Sequence, residues 1–277
     1  MAQILGYIKR DSFFHKLNGA TKLVLIMIAA ICALISFDTR VLVLLSVLSC
    51  IAWYLSALKF KDLKLVLILI GVFLVLNNIF IYVFAPQYGV ELYGSKHIVL
   101  GSQDAHYALS LEQLFYQLNI SLKYFAVLPL ALIFIATSSP SQFASALARV
   151  GVSHKIAYSV SLALRYIPDI QRDFSNISQA QQARGIDLSA KVGLFQRFKN
   201  ACGILFPLLL SSLNRIENVA CAMELRGFAQ NNKRSWYVQD KWSKRDLLVL
   251  ALALFCLIVT LCLLFVNGGR FYNPFLI

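Results

Sequence analysis

The sequence predicts an all-α, polytopic membrane protein: about five transmembrane helices and, between the last two, long amphipathic helices on the cytoplasmic side. Three observations carry this. Of the 277 residues 59% are hydrophobic and only 14% charged, and the mean hydropathy is +0.69, well outside the usual range of a soluble globular domain. The apolar residues gather into runs near the length that crosses about 30 Å of hydrocarbon. The basic residues collect on one side of those runs.

The first run extends from about Ala20 to Phe37 and the second from Val41 to Leu58, with only Asp38, Thr39 and Arg40 between them, which reads as a helical hairpin. The third covers Leu65 to Ala85, the fourth Ile120 to Thr137 and the fifth Leu247 to Val266. The first, second and fourth have little length to spare. A polar leader precedes the first run and no small-residue cleavage pattern follows it, so it does not read as a cleavable signal peptide.

A net charge of +13 raises the question of nucleic acid, and its distribution answers it. Between Ser138 and Arg245 about fifteen Lys/Arg stand against six Asp/Glu, whereas the stretch from Pro86 to Asn119 carries Glu91, Asp104 and Glu112 against Lys96. The positive-inside rule places 138–245 in the cytoplasm. Lys9, Arg10, Lys16 and Lys22, and then Lys59, Lys61 and Lys64, agree with five alternating crossings, amino terminus in and carboxyl terminus out. The expected organisation is a leader with four spans over 1–137, a cytoplasmic region over 138–245 and a last span over 246–277, in the cytoplasmic membrane and without nucleic acid.

The stretch between the fourth and fifth spans is too apolar for a linker and too charged to cross. Ser139-Pro140-Ser141 stops the fourth helix, and Gln142 to Val150 forms a short amphipathic helix ended by Gly151. From Ser161 the residues Ile167, Ile170, Phe174 and Ile177 recur every three or four positions, one stripe of a helix running to Arg184. Arg165, Asp169, Arg172, Asp173 and Gln179 form its polar face, expected to be solvated. A second such helix runs from about Gly203 to Arg226, with Leu209, Ile216, Val219 and Met223 on its stripe.

The two helices end alike. Ala180 to Ile186 reads A-Q-Q-A-R-G-I and Ala222 to Phe228 reads A-M-E-L-R-G-F, and Pro168 and Pro207 lie 16 and 19 residues before the respective arginines. Glycine at such an end adopts the left-handed conformation that stops a helix, and a preceding arginine opposes the negative end of the helix dipole. One copy is simply a good terminus. Two copies on paired amphipathic helices suggest two arginines projecting from rigid tips into two similar acidic grooves, where a planar guanidinium suits a carboxylate and lysine does not.

With these motifs the chain resembles the transmembrane T component of energy-coupling factor transporters, the ATP-driven importers of vitamins and transition metal ions. The resemblance covers nearly the whole chain: Tyr7, Asp11-Ser12, His15, Leu17 and Lys22; Ser139-Pro140, Ala146-Leu147 and Gly151; Arg165-Tyr166-Ile167-Pro168; Gln182-Ala183-Arg184-Gly185; Pro207-Leu208-Leu209; and Met223-Glu224-Leu225-Arg226-Gly227-Phe228. It implies that the two Arg-Gly segments, Ala183-Arg184-Gly185 and Leu225-Arg226-Gly227, end coupling helices that dock on two homologous cytoplasmic ATPase subunits. It also implies that the membrane helices hold a substrate-binding S component. Leu225 stands where the family commonly has alanine, and Ser153 where a proline often follows the glycine at position 151.

No catalytic role is expected for the chain. The histidines His15, His97, His106 and His154 form no ligand spacing, and no span carries paired acidic residues. Asn77-Asn78 in the third span reads as interhelical hydrogen bonding. The six cysteines, Cys32, Cys50, Cys202, Cys221, Cys256 and Cys262, read as small core residues rather than a disulfide framework or metal site. No cofactor is expected on this chain, ATP and Mg being used by the partner ATPases. The competing readings are the permease subunit of a conventional ABC importer, which presents one short coupling helix, and a non-catalytic membrane scaffold.

Overall fold

The computed structural model describes residues 12–61, 63–95, 97–100, 108–186, 193–228, 242–267, 269–272 and 274. Tyr7, Lys9, Arg10, Asp11, Lys96, Asp104 and His106, named above, lie outside them. The chain divides into two compact units, Met1–Gln142 with Asp240–Ile277, and Phe143–Gln239.

The first unit is a helical bundle. Its helices are α1 (Gly19–Ile35), α2 (Thr39–Leu55), α3 (Lys64–Phe84), the short α4 (Tyr88–Tyr93), α5 (Leu111–Thr137) and the last helix, Lys244–Val266, which is α9 once the second unit is counted. A two-stranded antiparallel ribbon, β1 (Ile98–Leu100) and β2 (Leu109–Ser110), leads into α5. Lys64–Phe84, Leu111–Thr137 and Lys244–Val266 are long and apolar enough to cross a membrane, and α1 and α2 are apolar helices of 17 residues each. The chain is an all-α polytopic membrane protein, with large apolar side chains such as Leu34, Val47, Ile68, Phe80 and Phe255 facing outward.

Several helix starts follow from side-chain capping. Asp38 accepts from the backbone N–H of Arg40 at 2.9 Å, which draws Thr39 and Arg40 into the first turn of α2 and leaves only 36–38 as the hairpin turn. The fourth span begins at Leu111, nine residues before its apolar run, because Ser110 caps it and accepts from Gln113 N–H. Thr39 donates to Asn119 Oδ1 at 2.8 Å, so the first residue of α2 lies level with the ninth of α5. The preceding turns of α5, about 12 Å at 1.5 Å per residue, extend past α2 and carry α4 and the ribbon.

At the opposite end, Asp246 joins two helix starts. It is fully buried, accepts from Ser243 N–H at 2.8 Å in a capping box, and accepts from Asn18 N–H at 2.9 Å, while Asn18 itself caps α1 through Ala20 N–H. Buried Lys22 donates to the Thr137 carbonyl at 3.0 Å at the end of α5. A Cβ on Gly19 would come within 2.8 Å of the Gln142 carbonyl, so only glycine lets that chain approach.

In α3, Asn78 donates to Ser121 Oγ of α5 at 3.2 Å, the expected interhelical bond, while Asn77 Oδ1 has no partner. All six cysteines are free thiols. Only Cys32 and Cys256 are core residues; Cys50, Cys202, Cys221 and Cys262 are exposed, because the apolar faces that carry them point outward.

The remaining helices are α6 (Pro140–Arg149), α7 (His154–Ala183) and α8 (Leu194–Leu225). Helix α6 starts at the proline rather than after it. Ser139 Oγ accepts from Gln142 N–H at 3.3 Å and Gln142 Oε1 accepts from Ser139 N–H at 3.1 Å, a capping box with proline at the first helical position. Helices α7 and α8 begin seven and nine residues before the starts read from the sequence, Ser161 and Gly203. Ser159 lies inside α7 with its hydroxyl donating to the Lys155 carbonyl, and Gly203 lies inside α8 with open space around it.

Candidate functional site

The candidate site is the pair α7 and α8 with their carboxyl ends. The helices pack antiparallel: the Tyr158 ring near the start of α7 lies tilted against Phe228 just past the end of α8, with ring centroids 4.6 Å apart, and Gln181 near the end of α7 donates to the Gly203 carbonyl. Between these contacts Asp173 forms an ion pair with Arg215, whose guanidinium also lies 5.9 Å from the Tyr166 ring centroid.

Both ends are Schellman motifs. Gly185 has φ of 84° and Gly227 of 63°, the left-handed region that glycine enters without steric cost. Gly185 N–H bonds the Gln182 carbonyl and Ile186 N–H the Gln181 carbonyl, at 2.9 and 3.1 Å; Gly227 and Phe228 repeat the pattern onto Glu224 and Met223, each at 2.9 Å. The sequence A-x-x-x-R-G followed by a large apolar residue is therefore one structural unit used twice. Gly151, with φ of 107°, ends α6 in the same manner, with Val152 N–H on the Leu147 carbonyl.

Ala183, Arg184 and Gly185 are exposed, as are Leu225 and Arg226, while Gly227 is half-buried. Leu225, in place of a smaller residue, is 84% exposed and puts an apolar side chain beside the second arginine. Because the helices are antiparallel, the two tips lie at opposite ends of the pair. Arg184 follows Asp173 by eleven residues and Arg226 follows Arg215 by eleven, so at 1.5 Å per residue the tips stand on the order of 30 Å apart with the ion pair midway.

The polar face of α7 is thus not uniformly solvated. Asp169 and Arg172 form a solvent-facing i,i+3 pair, but Asp173 is drawn in by Arg215, because two like helices crossing at mid-length bring opposite charges together. The sequence did hold that signal: aligning the two Arg-Gly motifs superposes Asp173 on Arg215. The stripe residues Ile167, Ile170 and Phe174 are each 40–47% exposed, and Leu209 and Ile216 more so. An open groove of about 590 Å³ between the helices is lined by Tyr166, Ile170, Ile216, Val219, Met223 and Phe228. Among the described residues no three His, Cys, Asp or Glu gather as metal ligands.

Fold and site together define a helical membrane protein with a paired-helix region bearing two like, exposed arginine ends. The family described as CbiQ, cobalt transport protein, matches residues 10–236. The energy-coupling factor transporter transmembrane protein EcfT of Clostridium kluyveri is 30% identical over 264 residues, 93% of each chain. Those of Staphylococcus aureus and Streptococcus equi subsp. equi are each 29% identical, covering 90% and 94% of this chain and 92% and 96% of their own. The chain belongs to this family, and is the transmembrane component of an energy-coupling factor transporter. That membership decides against a conventional importer permease and a mere scaffold.

Proposed function

We propose that this chain transmits the motion of two homologous cytoplasmic ATPase subunits to a membrane-embedded S component, for uptake of a vitamin or transition metal ion bound by that component. The observation that carries the reading is the placement of Arg184 and Arg226: like residues on like Schellman ends, both exposed, at opposite ends of one antiparallel pair. Two separated, equivalent tips suit two equivalent subunits. Each guanidinium enters an acidic groove, with Ala183 and Gly185, or Leu225 and Gly227, forming the rest of the contact. The chain itself is non-catalytic; ATP and Mg belong to the partner subunits. The membrane unit crosses five times with its amino terminus inside, and 138–245 is cytoplasmic, the assignment that the distribution of basic residues supports.

The test is co-purification and ATP-driven uptake for Arg184→Ala, Arg226→Ala and the double variant. Removing one partner of a buried charged pair costs about 2–5 kcal/mol, tens- to thousands-fold in affinity. Both readouts should fall, most in the double variant, with lysine rescuing only in part. Substrate binding by the isolated S component should be unchanged. Wild-type association and uptake in the double variant overturn the proposal.

A further inference from the structure

We infer that one end of the membrane unit holds an anionic phospholipid, its phosphodiester headgroup seated among Arg40, Lys123 and Arg270 and an acyl chain laid along α2. The inference rests on the membrane reading of this unit and is independent of ATPase coupling.

Three cations converge where the 36–38 turn meets the carboxyl-terminal segment. Lys123 Nζ sits 3.1 Å from the centroid of the Phe37 ring, and Phe37 N–H bonds the Arg270 carbonyl at 2.8 Å, which sets Arg270 beside the turn that Lys123 covers. Arg40 donates to the Tyr272 hydroxyl at 2.7 Å and lies 4.1 Å from that ring's centroid. No described carboxylate pairs with any of the three. Asp38, the carboxylate nearest in sequence to Arg40, is buried, with its two oxygens accepting from Arg40 N–H and Asn267 Nδ2. Like charges brought together by the fold with no carboxylate paired to them are a place for an anion to bind.

The depth favours a lipid. Thr39 bonding to Asn119 marks the end of the short helices, so Lys123, one turn further along α5, lies at the membrane boundary, where aromatic rings such as Phe37 and Tyr272 also belong. Directly along α2 from Arg40, on the same helix face, Val43, Val47, Ile51 and Tyr54 line an open apolar groove closed on the α5 side by Leu122, the neighbour of Lys123. Its volume is about 510 Å³. From Val43 to Tyr54 it runs roughly 16 Å at 1.5 Å per residue, close to half of the ~30 Å hydrocarbon thickness, which is the reach of one leaflet. A cationic head site continuous with a leaflet-length apolar track fits a phospholipid better than a free anion.

The test uses the purified full chain, delipidated in detergent and titrated with dioleoyl phosphatidylglycerol or dioleoyl phosphatidylcholine under native mass spectrometry. One phosphatidylglycerol should be retained in preference to phosphatidylcholine. A basic residue near a membrane surface is worth about 1 kcal/mol toward anionic lipid, so R40Q, K123Q and R270Q should each weaken retention about fivefold. R40K and K123R should keep it, which separates charge loss from misfolding. V47W, which obstructs the track and leaves the cations intact, should also weaken it, and millimolar inorganic phosphate should not displace the lipid. Equal retention of both lipids, unchanged retention in the glutamine variants, or displacement by phosphate overturns the inference. So does loss of the membrane partner from glutamine variants that still hold phosphatidylglycerol, since the cluster would then serve a protein carboxylate.

Discussion

Asp173 of α7 and Arg215 of α8 form an ion pair at mid-crossing, each eleven residues before a tip arginine. Both side chains are about 30% exposed, so the pair is partly screened. A double-mutant cycle with Asp173→Asn and Arg215→Met should give a coupling energy of about 1 kcal/mol by thermal or denaturant unfolding. The swap Asp173→Arg with Arg215→Asp should recover most of it. Strict additivity of the single changes would show the pair to be a bystander.

Glycine and arginine at each tip do separable work. Gly185→Ala or Gly227→Ala forces a side chain into the left-handed region, at about 1–2 kcal/mol, and should loosen the Schellman bonds. Amide hydrogen exchange at Ile186 and Phe228 should quicken accordingly. Arg184→Ala should leave those amides protected while weakening ATPase association. Matching exchange profiles for the glycine and arginine variants would contradict this division.

The exposed stripe of α7 should be covered in the assembled transporter. Ile170→Asp and Phe174→Asp are expected to lower the yield of intact complex, and Asp169→Asn, in a surface pair, to leave it near wild type. Equal yields for all three would mean that the stripe stays open.

Asp246 accepts from two backbone N–H groups of different helices, so Asp246→Asn removes both its charge and half its accepting capacity. Hydrogen bonds to charged groups are worth about 1.5–3 kcal/mol each, and a fall in the melting temperature of the detergent-solubilised protein is expected. Asp246→Glu should recover only part, because the longer side chain cannot hold both short bonds. An unchanged melting temperature would argue that the α1–α9 joint is carried by apolar packing alone.

Much of this was legible in the sequence because hydrophobic periodicity and glycine conformation are local properties. The apolar runs became α1, α2, α3, α5 and α9, and A-x-x-x-R-G became a Schellman end twice. What escaped was non-local. Leu111 to Asn119 is too polar to read as part of a span, yet it continues α5 because Ser110 caps it and α4 packs on it. The solvated face assigned to Asp173 failed because each helix was read by itself, whereas its partner lies 42 residues away on the other helix, at the position that aligning the two Arg-Gly motifs superposes on it. Asn18 to Asp246, 228 residues apart, is a contact that no window of sequence reveals.

The bundle has walls of unequal height. Helices α1 and α2, at 17 residues each, reach only about 25 Å, short of the ~30 Å hydrocarbon thickness, whereas α3, α5 and α9 exceed it. Acyl chains beside α1 and α2 must compress by a few ångströms while those beside α3 and α9 need not, a hydrophobic mismatch that varies around the bundle. The protein therefore carries its own gradient of bilayer thickness, thinnest beside α1 and α2.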